Sequence, residues 1–195
     1  MKPSDLVRQV IGSVRGVTLS NPVKINAKLI LDPLAPIPAS MGKRDRERLA
    51  ELREAYAYAM QERMVGQKCA GPDAVAAAFQ PLIGHLAVES FAAGALNARL
   101  QLNAPPTIIT RGDTDGVEVP MRAIFRTVLV QEAVSFVVAH NHPSGQVDES
   151  AADRAITTQM VNIGRSLGCQ LVDHVIVTNT GVFRSLRANC PELWR

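Results

Sequence analysis

The chain has 195 residues, 47% of them hydrophobic and 20% charged, which excludes a wholly disordered protein and predicts one domain of catalytic size with an extension. Its net charge of +3 is unevenly divided, because residues 1–68 carry 12 Lys or Arg against 7 Asp or Glu, whereas residues 69–195 carry 9 against 11. The basic N-terminal part is interpreted as a solvated face, with a nucleic-acid or acidic partner as the alternative.

Residues 1–68 are predicted to form an N-terminal extension with two helices and a linker. Residues 4–16 predict a short amphipathic helix, with apolar residues at helical spacing. Residues 32–40 contain three prolines and predict the linker, because proline fits neither a helix interior nor a central strand. Residues 42–65 predict a charged helix with a narrow apolar stripe of Leu49, Leu52, Tyr56 and Met60. The stripe favours packing against the neighbouring domain or a second copy of the chain, so a homo-oligomer stays open.

Predicted helices and strands alternate from residue 72 onwards. They are a helix from 72 interrupted near Pro81, a strand or hairpin at 90–102, a strand and polar turn at 104–116, a helix at 120–130, a buried strand at 135–139, a helix at 150–168 ending at Gly168, and two strands around a turn at 170–186. This alternation predicts an α/β domain over residues 69–195, with a mixed β-sheet and flanking helices.

The turn at 140–153, HNHPSGQVDESAAD, carries residues suited to metal binding. Successive side chains of a strand point to opposite faces, so His140 and His142 aim at one point as the strand ends. Ser150 then starts the next predicted helix, which puts Asp153 in its first turn, facing back towards the histidines. Two neutral imidazoles and one carboxylate, with a fourth position open, are the ligand set of a catalytic zinc site.

Simpler interpretations exist for each of these residues taken alone. A His-x-His pair occurs by chance, and a histidine at a strand end is usually a hydrogen-bonded polar residue. Ser150 fits a plain N-cap, and Asp153 fits the favourable end of the helix dipole. The occurrence of all four residues at this spacing favours the metal site.

The same turn resembles the motif of the JAB/MPN (JAMM) metalloproteases, and most closely that of their RadC-like branch. Seven residues separate His142 from Ser150, and two separate Ser150 from Asp153. The resemblance extends to the segments 89–102, 119–126 and 171–177 and covers about residues 69–188. Two departures, Asn97 after the strand and the Pro-Met pair at 120–121, are not at metal positions. The family's N-terminal helix-hairpin-helix region is not recognisable in residues 1–68.

The resemblance implies a zinc-dependent hydrolase with a JAB/MPN fold, a cytidine-deaminase-like three-layer arrangement, here with a helical N-terminal extension. It implies that His140, His142 and Asp153 hold zinc. It also implies that Glu89 is the general base that takes a proton from the metal-activated water, and that Ser150 donates a hydrogen bond to the oxyanion. The assignment of Glu89 rests on the matched Glu-Ser-Phe segment alone.

Other polar residues are interpreted as structural. His174 is predicted to bond to backbone, with a partnership to the site as the alternative, and His85 is treated in the same way. Arg122 and Arg126 are predicted to pair with nearby acids rather than to guide an acidic substrate. Cys169 is predicted to be a small buried residue.

The predicted function is hydrolysis of a peptide or isopeptide bond in a peptide or protein substrate. The alternative is a DNA-repair-associated or nucleic-acid-binding RadC-like protein, including a metal-dependent nuclease; a third is a binding module that keeps the metal for stability. Three cysteines without a Cys-x-x-Cys pair argue against disulfides, and no apolar run approaches 18 residues. A cytoplasmic protein without membrane contact is expected.

Overall fold

The computed structural model describes residues 37–112 and 119–195, except for the side chains of residues 53–63. The predicted helix at 4–16 and residues 32–36 of the predicted linker lie outside this range. Residues 37–40 contain neither helix nor strand. The chain divides into two compact units, Met1–Arg63 and Met64–Arg195.

Helix α1 runs over Lys43–Met64, close to the predicted range of 42–65. Leu49 and Leu52 of its predicted stripe are buried, and the other two stripe residues lie in the stretch without described side chains. The chain preceding α1 is held by Arg46, whose Nε donates to the carbonyl of Met41 at 2.9 Å. Within the described ranges, none of the helices has the length and hydropathy that crossing a bilayer requires.

The second unit is an α/β domain in which strands and helices alternate along the chain and the strands form one mixed sheet. Its elements are α2 (Pro72–Ile83), β1 (Ser90–Leu96), β2 (Thr107–Arg111), α3 (Met121–Val130), β3 (Ser135–His142), α4 (Ala151–Ser166), β4 (Gln170–Thr178), β5 (Phe183–Ser185), α5 (Leu186–Asn189) and a 3-10 helix (Pro191–Trp194).

The five strands form one sheet in the order β2-β1-β3-β4-β5. Strand β3 lies at the centre, antiparallel to β1 and parallel to β4, while β2 and β5 pair antiparallel at the two edges. Because β1 and β3 are antiparallel, the start of β1 lies beside the end of β3. This neighbourhood is where the candidate site forms.

Helices cover both faces of the sheet, so the domain has three layers. On one face, α2 packs through Val75 and Phe79 against small and β-branched residues of the central strands. On the other face, α3 and α4 pack through Phe125 and Met160 against Phe136 and its neighbours. The predicted mixed sheet with flanking helices and the JAB-type three-layer arrangement are confirmed.

Three details differ from the sequence prediction. Helix α2 continues through Pro81 to Ile83, although the proline has no N–H to donate to the carbonyl of Ala77, four residues earlier in the helix. Strand β3 extends beyond 139 to His142, so both histidines belong to the strand itself. The two short C-terminal helices were not predicted, and Ser185 starts the first of them by accepting a hydrogen bond from the Ala188 amide.

Candidate metal centre

Strand β3 presents its last residues to opposite faces of the sheet. His140 and His142 lie on the side covered by α4, and Asn141 between them lies on the side of α2. His140 pairs with Phe91 of β1, so Glu89, directly before β1, is brought to the end of β3. This antiparallel pairing brings together two residues that are 51 positions apart in the sequence, Glu89 and His140.

The N-terminus of α4 supplies the third predicted ligand. Ser150 is the N-cap and Asp153 the third helical residue, and together they form a capping box. Asp153 Oδ2 accepts from both the amide and the hydroxyl of Ser150, each at 2.7 Å, while the Asp153 amide donates to Ser150 Oγ at 3.1 Å. These bonds orient the carboxylate, so its second oxygen, Oδ1, faces His140.

The predicted site residues converge on one point. His140 Nε2 lies 3.0 Å from His142 Nε2 and 3.1 Å from Asp153 Oδ1. His142 Nε2 lies 3.8 Å from Asp153 Oδ2. The Glu89 carboxylate joins the group, and the four potential ligand atoms all lie within 4.8 Å of one another.

The donor set fits a divalent metal ion. His142 Nδ1 lies 2.9 Å from the Gln146 carbonyl, which can only accept, so Nδ1 carries the hydrogen and a neutral ring has its lone pair on Nε2. That lone pair faces the other imidazole and a carboxylate oxygen. In a tetrahedral zinc site with bonds of about 2.0–2.1 Å, neighbouring ligand atoms are about 3.3 Å apart. The three observed separations, 3.0, 3.1 and 3.8 Å, lie on either side of that spacing.

The Asp153 carboxylate is available as an anion. Burial opposes its charge, but the adjacent imidazole of His140 and the hydrogen bonds from Ser150 outweigh that effect and lower the pKa of Asp153 below its ordinary value. The carboxyl is therefore deprotonated at neutral pH, as metal binding requires.

A third histidine stands directly behind the site. His174 of β4 is fully buried, with Nε2 at 2.8 Å from His140 Nδ1 and Nδ1 at 2.7 Å from Thr157 Oγ1. The expected bond to backbone is therefore wrong, because both ring nitrogens bond to side chains. Burial lowers the pKa of His174 well below 6.5, which keeps the ring neutral. His85 lies in the turn after α2 and is not part of the ligand group.

Asn141 holds the segment that leads to Glu89. Its Oδ1 accepts from the Ser90 amide at 2.8 Å, and its Nδ2 donates to the carbonyls of Leu86 and Val88, both at 3.1 Å. These three bonds fix the backbone on both sides of Glu89. The sequence reasoning missed this residue, although a polar side chain between two candidate ligands was a usable signal.

Charged residues fix the loop between His142 and Ser150. Arg184 of β5 pairs with Glu149 at 2.7 Å, and the Cys190 thiol donates to the same carboxylate at 3.0 Å. Arg154 of α4 bridges Glu149 and Glu192. The hydrogen bond from Cys190 is the main reason that the pKa of Glu149 is lowered. The loop is thereby tied to β5 and to the C-terminal residues.

The two arginines of α3 are not part of the ligand group. Arg122 and Arg126 line an open groove together with Thr107 and Gln131. Their predicted ion pairs are not found within residues 37–112 and 119–195, where the observed pairs involve other residues.

Comparisons with known proteins give the following similarities. The family whose sequence model matches is described as a RadC-like JAB domain, and the match covers residues 69–190. A UPF0758 protein of Symbiobacterium thermophilum is 34% identical over 110 residues, which are 56% of this chain and 47% of that protein. A UPF0758 protein of Cyanothece is 40% identical over 123 residues, 63% of this chain and 49% of that protein. One of Bordetella bronchiseptica is 32% identical over 174 residues, 89% and 72% of the two chains. The chain thus spans about half the length of the first two relatives.

Proposed function

The chain belongs to the RadC-like JAB domain family, and from this premise we propose that it is a zinc-dependent hydrolase that cleaves a peptide or isopeptide bond. The observation that carries the proposal is the convergence of two imidazole nitrogens and one carboxylate oxygen, with a second carboxylate, Glu89, within 4.8 Å. A purely structural metal site would have a closed set of four tight ligands and no need of a further half-buried acid.

His140, His142 and Asp153 are the residues that would hold the ion. When bound, zinc supplies Lewis acidity, which polarises a carbonyl and makes water more acidic near neutral pH. The Glu89 carboxylate takes a proton from the water while the oxygen of that water attacks the carbonyl carbon. Glu89 then gives that proton to the leaving nitrogen as the C–N bond breaks, so the products are an amine and a carboxylic acid, which loses its own proton to solvent at neutral pH.

Ser150 is proposed to donate to the oxyanion that develops on the carbonyl oxygen. In the structure its hydroxyl donates to Asp153 Oδ2, so this role requires the hydroxyl hydrogen to rotate about the C–O bond, which leaves Oγ in place as the acceptor of the Asp153 amide. The rotation leaves Asp153 oriented, because the Ser150 amide still donates to Oδ2. The capping arrangement and the catalytic role are therefore compatible.

The test is Glu89→Gln, which keeps the size of the side chain and removes its basicity. Zinc content is measured by elemental analysis, and cleavage is measured with a library of peptides and isopeptide-linked peptides. We expect zinc to stay stoichiometric and turnover to fall by about 10²–10⁴-fold, the usual contribution of a general base. Glu47→Gln, at an exposed glutamate of α1, is the matched control and should keep full activity. Unchanged turnover in Glu89→Gln would remove Glu89 from the mechanism.

The same assay includes single-stranded and duplex DNA, since the basic residues 1–68 leave nucleic acid as an alternative partner. If DNA is cleaved in a Glu89-dependent manner and no peptide is cleaved, the reaction is phosphodiester hydrolysis and the peptidase proposal is wrong. Binding of DNA without cleavage, weakened steeply by salt, would support a nucleic-acid-binding role instead.

A further inference from the structure

We propose that His174 and Thr157 are positioning residues that keep the hydrogen of His140 on Nδ1 and so leave its Nε2 lone pair available for the metal. The proposal rests on the proposed metal site but not on the reaction that the site catalyses. It is carried by a row of side-chain hydrogen bonds whose donors and acceptors can be assigned one after another.

The assignment starts from the Asp153 carbonyl, which can only accept. The Thr157 hydroxyl lies within hydrogen-bond distance of it and must therefore donate its single hydrogen there. The oxygen of Thr157 is then the acceptor in its 2.7 Å contact with His174 Nδ1, which must carry a hydrogen.

The second half of the row follows from the chemistry of a neutral imidazole, which has one N–H and one lone pair. Since His174 Nδ1 carries the hydrogen, its Nε2 is the acceptor in the 2.8 Å contact with His140. His140 Nδ1 must therefore donate. A neutral His140 then has its lone pair on Nε2, the atom that faces His142 and Asp153.

Without this row the opposite form of His140 would compete. Its Nε2 lies 3.1 Å from Asp153 Oδ1, so a hydrogen on Nε2 would make a good bond to that carboxylate. Such a hydrogen would occupy the space of the metal and block the lone pair. The row of bonds disfavours this form. His174 would have to donate to His140 from Nε2, and its Nδ1 lone pair would then face the Thr157 oxygen unless the Thr157 hydroxyl gave up its bond to the Asp153 carbonyl.

Because the row is buried, water cannot take the place of its hydrogen-bond partners. His174 and Thr157 have no exposed surface, and His140 is 1% exposed. Phe91 packs against both rings, nearly parallel to His140 with centroids 6.2 Å apart and edge-on to His174 at 5.5 Å. Water therefore has no access through which to replace either partner.

The row also links two ligands of the site. Thr157 lies one turn after Asp153 on α4, and its hydroxyl bonds to the backbone of that residue. The far end of the row is His140 on β3. Outer partners of metal-ligating histidines are usually carboxylates or carbonyls, and a carboxylate raises the basicity of the ligand. The neutral His174 orients His140 without adding a second negative charge.

The test compares substitutions that remove the row with substitutions that keep it. Thr157→Val and His174→Leu remove the hydroxyl and the ring. Thr157→Ser keeps the hydroxyl, and His174→Gln keeps one acceptor and one donor at similar spacing. Thr158→Val is the control, because Thr158 lies on the same helix and bonds to the carbonyl four residues earlier, but it is exposed and touches no ring.

Zinc affinity is measured at fixed pH by competition with a chromophoric chelator. We expect Thr157→Val and His174→Leu to bind zinc about 10–100-fold more weakly than the wild type, the usual effect of losing an outer partner. Thr157→Ser, His174→Gln and Thr158→Val should stay within about threefold, a smaller change than any loss of that kind.

Nitrogen NMR of the metal-free protein supplies a readout that general destabilisation does not move. The chain has four histidines, so each ring can be assigned. The neutral His140 ring should carry its hydrogen on Nδ1 in the wild type and populate the Nε2–H form in Thr157→Val. Unchanged zinc affinity together with an unchanged ring form in Thr157→Val, a nearly isosteric substitution, would overturn the proposal.

Neither measurement uses a substrate, so the two proposals can fail separately. If Thr157→Val loses zinc affinity and the wild type cleaves no peptide, the positioning role stands and the peptidase proposal falls. If the wild type cleaves peptides and Thr157→Val binds zinc like Thr158→Val, the positioning role falls alone.

Discussion

Replacing Asn141 with alanine is expected to destabilise the domain strongly, although Asn141 is neither a metal ligand nor a general base. Its side chain is fully buried between the end of β3 and the segment before β1. It is held by three hydrogen bonds, one from the Ser90 amide and two to the carbonyls of Leu86 and Val88. Alanine would leave all three backbone groups without these partners.

The magnitude follows from the burial of those groups. A buried polar group that loses its partner costs about 1–3 kcal/mol. The bonds to Ser90 and Leu86 are buried and that to Val88 is partly buried, so the last group counts at the low end. The sum is about 3–7 kcal/mol, a large part of the roughly 5–15 kcal/mol that stabilises an ordinary domain.

The assay is urea unfolding followed by the fluorescence of Trp194, the only tryptophan of the chain. Its indole Nε1 donates to the Leu171 carbonyl at 2.9 Å, so its environment changes when β4 unfolds. Asn103→Ala is the matched control, because Asn103 Nδ2 also donates to two backbone carbonyls, those of Gln131 and Glu132. Those bonds are partly or fully exposed, so about 1 kcal/mol is expected from their loss.

The two substitutions also make the reasoning refutable. If Asn141→Ala costs no more than Asn103→Ala, the segment before β1 does not depend on the three bonds, and the positioning of Glu89 needs another explanation. If Asn141→Ala is destabilised as expected, zinc binding of the folded fraction should remain, because the three proposed metal ligands lie on β3 and α4. Loss of cleavage in that zinc-loaded fraction would then report on Glu89.

Two further predictions concern packing and thiol chemistry. Gly164→Ala should lower the free energy of unfolding, measured in urea, by about 1–3 kcal/mol, as overpacking does, because the added methyl group would lie 2.5 Å from the Cys169 carbonyl oxygen. The control is Gly71→Ala, where nothing lies within 4 Å of the added methyl group, and it should cost less than about 1 kcal/mol. Equal effects of the two substitutions would contradict the packing argument. All three cysteines are free and buried, and burial raises the pKa of the Cys69 thiol to about 11. A chromogenic disulfide reagent at pH 8 should therefore react with the thiols only as the protein unfolds. A rapidly reacting thiol in the native protein would show that a cysteine is accessible and would contradict this prediction.

The order of elements in the α/β domain was predictable because each signal is local. The apolar run before His140 indicates a central strand, and β3 is fully buried up to Asn141. Ser150 and Gly168 mark the two ends of α4, the first as N-cap and the second with a φ of 68° just beyond the helix. The short C-terminal helices have no such periodicity. The first of them, α5, forms because Asp173 and Ser185 offer acceptors to the amides of Arg187 and Ala188, and that arrangement exists only after β4 and β5 have paired.

The same distinction between local signals and strand pairing applies to the residues of the candidate site. His140, His142 and Asp153 lie within one strand and the first turn of the next helix, so their spacing alone indicated that they could bind one metal ion together. Glu89 reaches them only through the antiparallel register of β1 and β3, and it was assigned by family resemblance. That assignment is compatible with the structure, which brings the Glu89 carboxylate into the ligand group.

The partners behind the ligands could not be located from the sequence, because they depend on the parallel register of β3 and β4. That register pairs Val138 with His174, which sets the third imidazole behind His140. The sequence nevertheless contained a constraint. Asn141 and His174 interrupt apolar strand segments that are expected to be buried on both faces, and a buried polar side chain without a partner is strongly unfavourable. Each therefore needs hydrogen-bond partners on a neighbouring element, and in this domain those partners are the backbone beside Glu89 and the ring of His140.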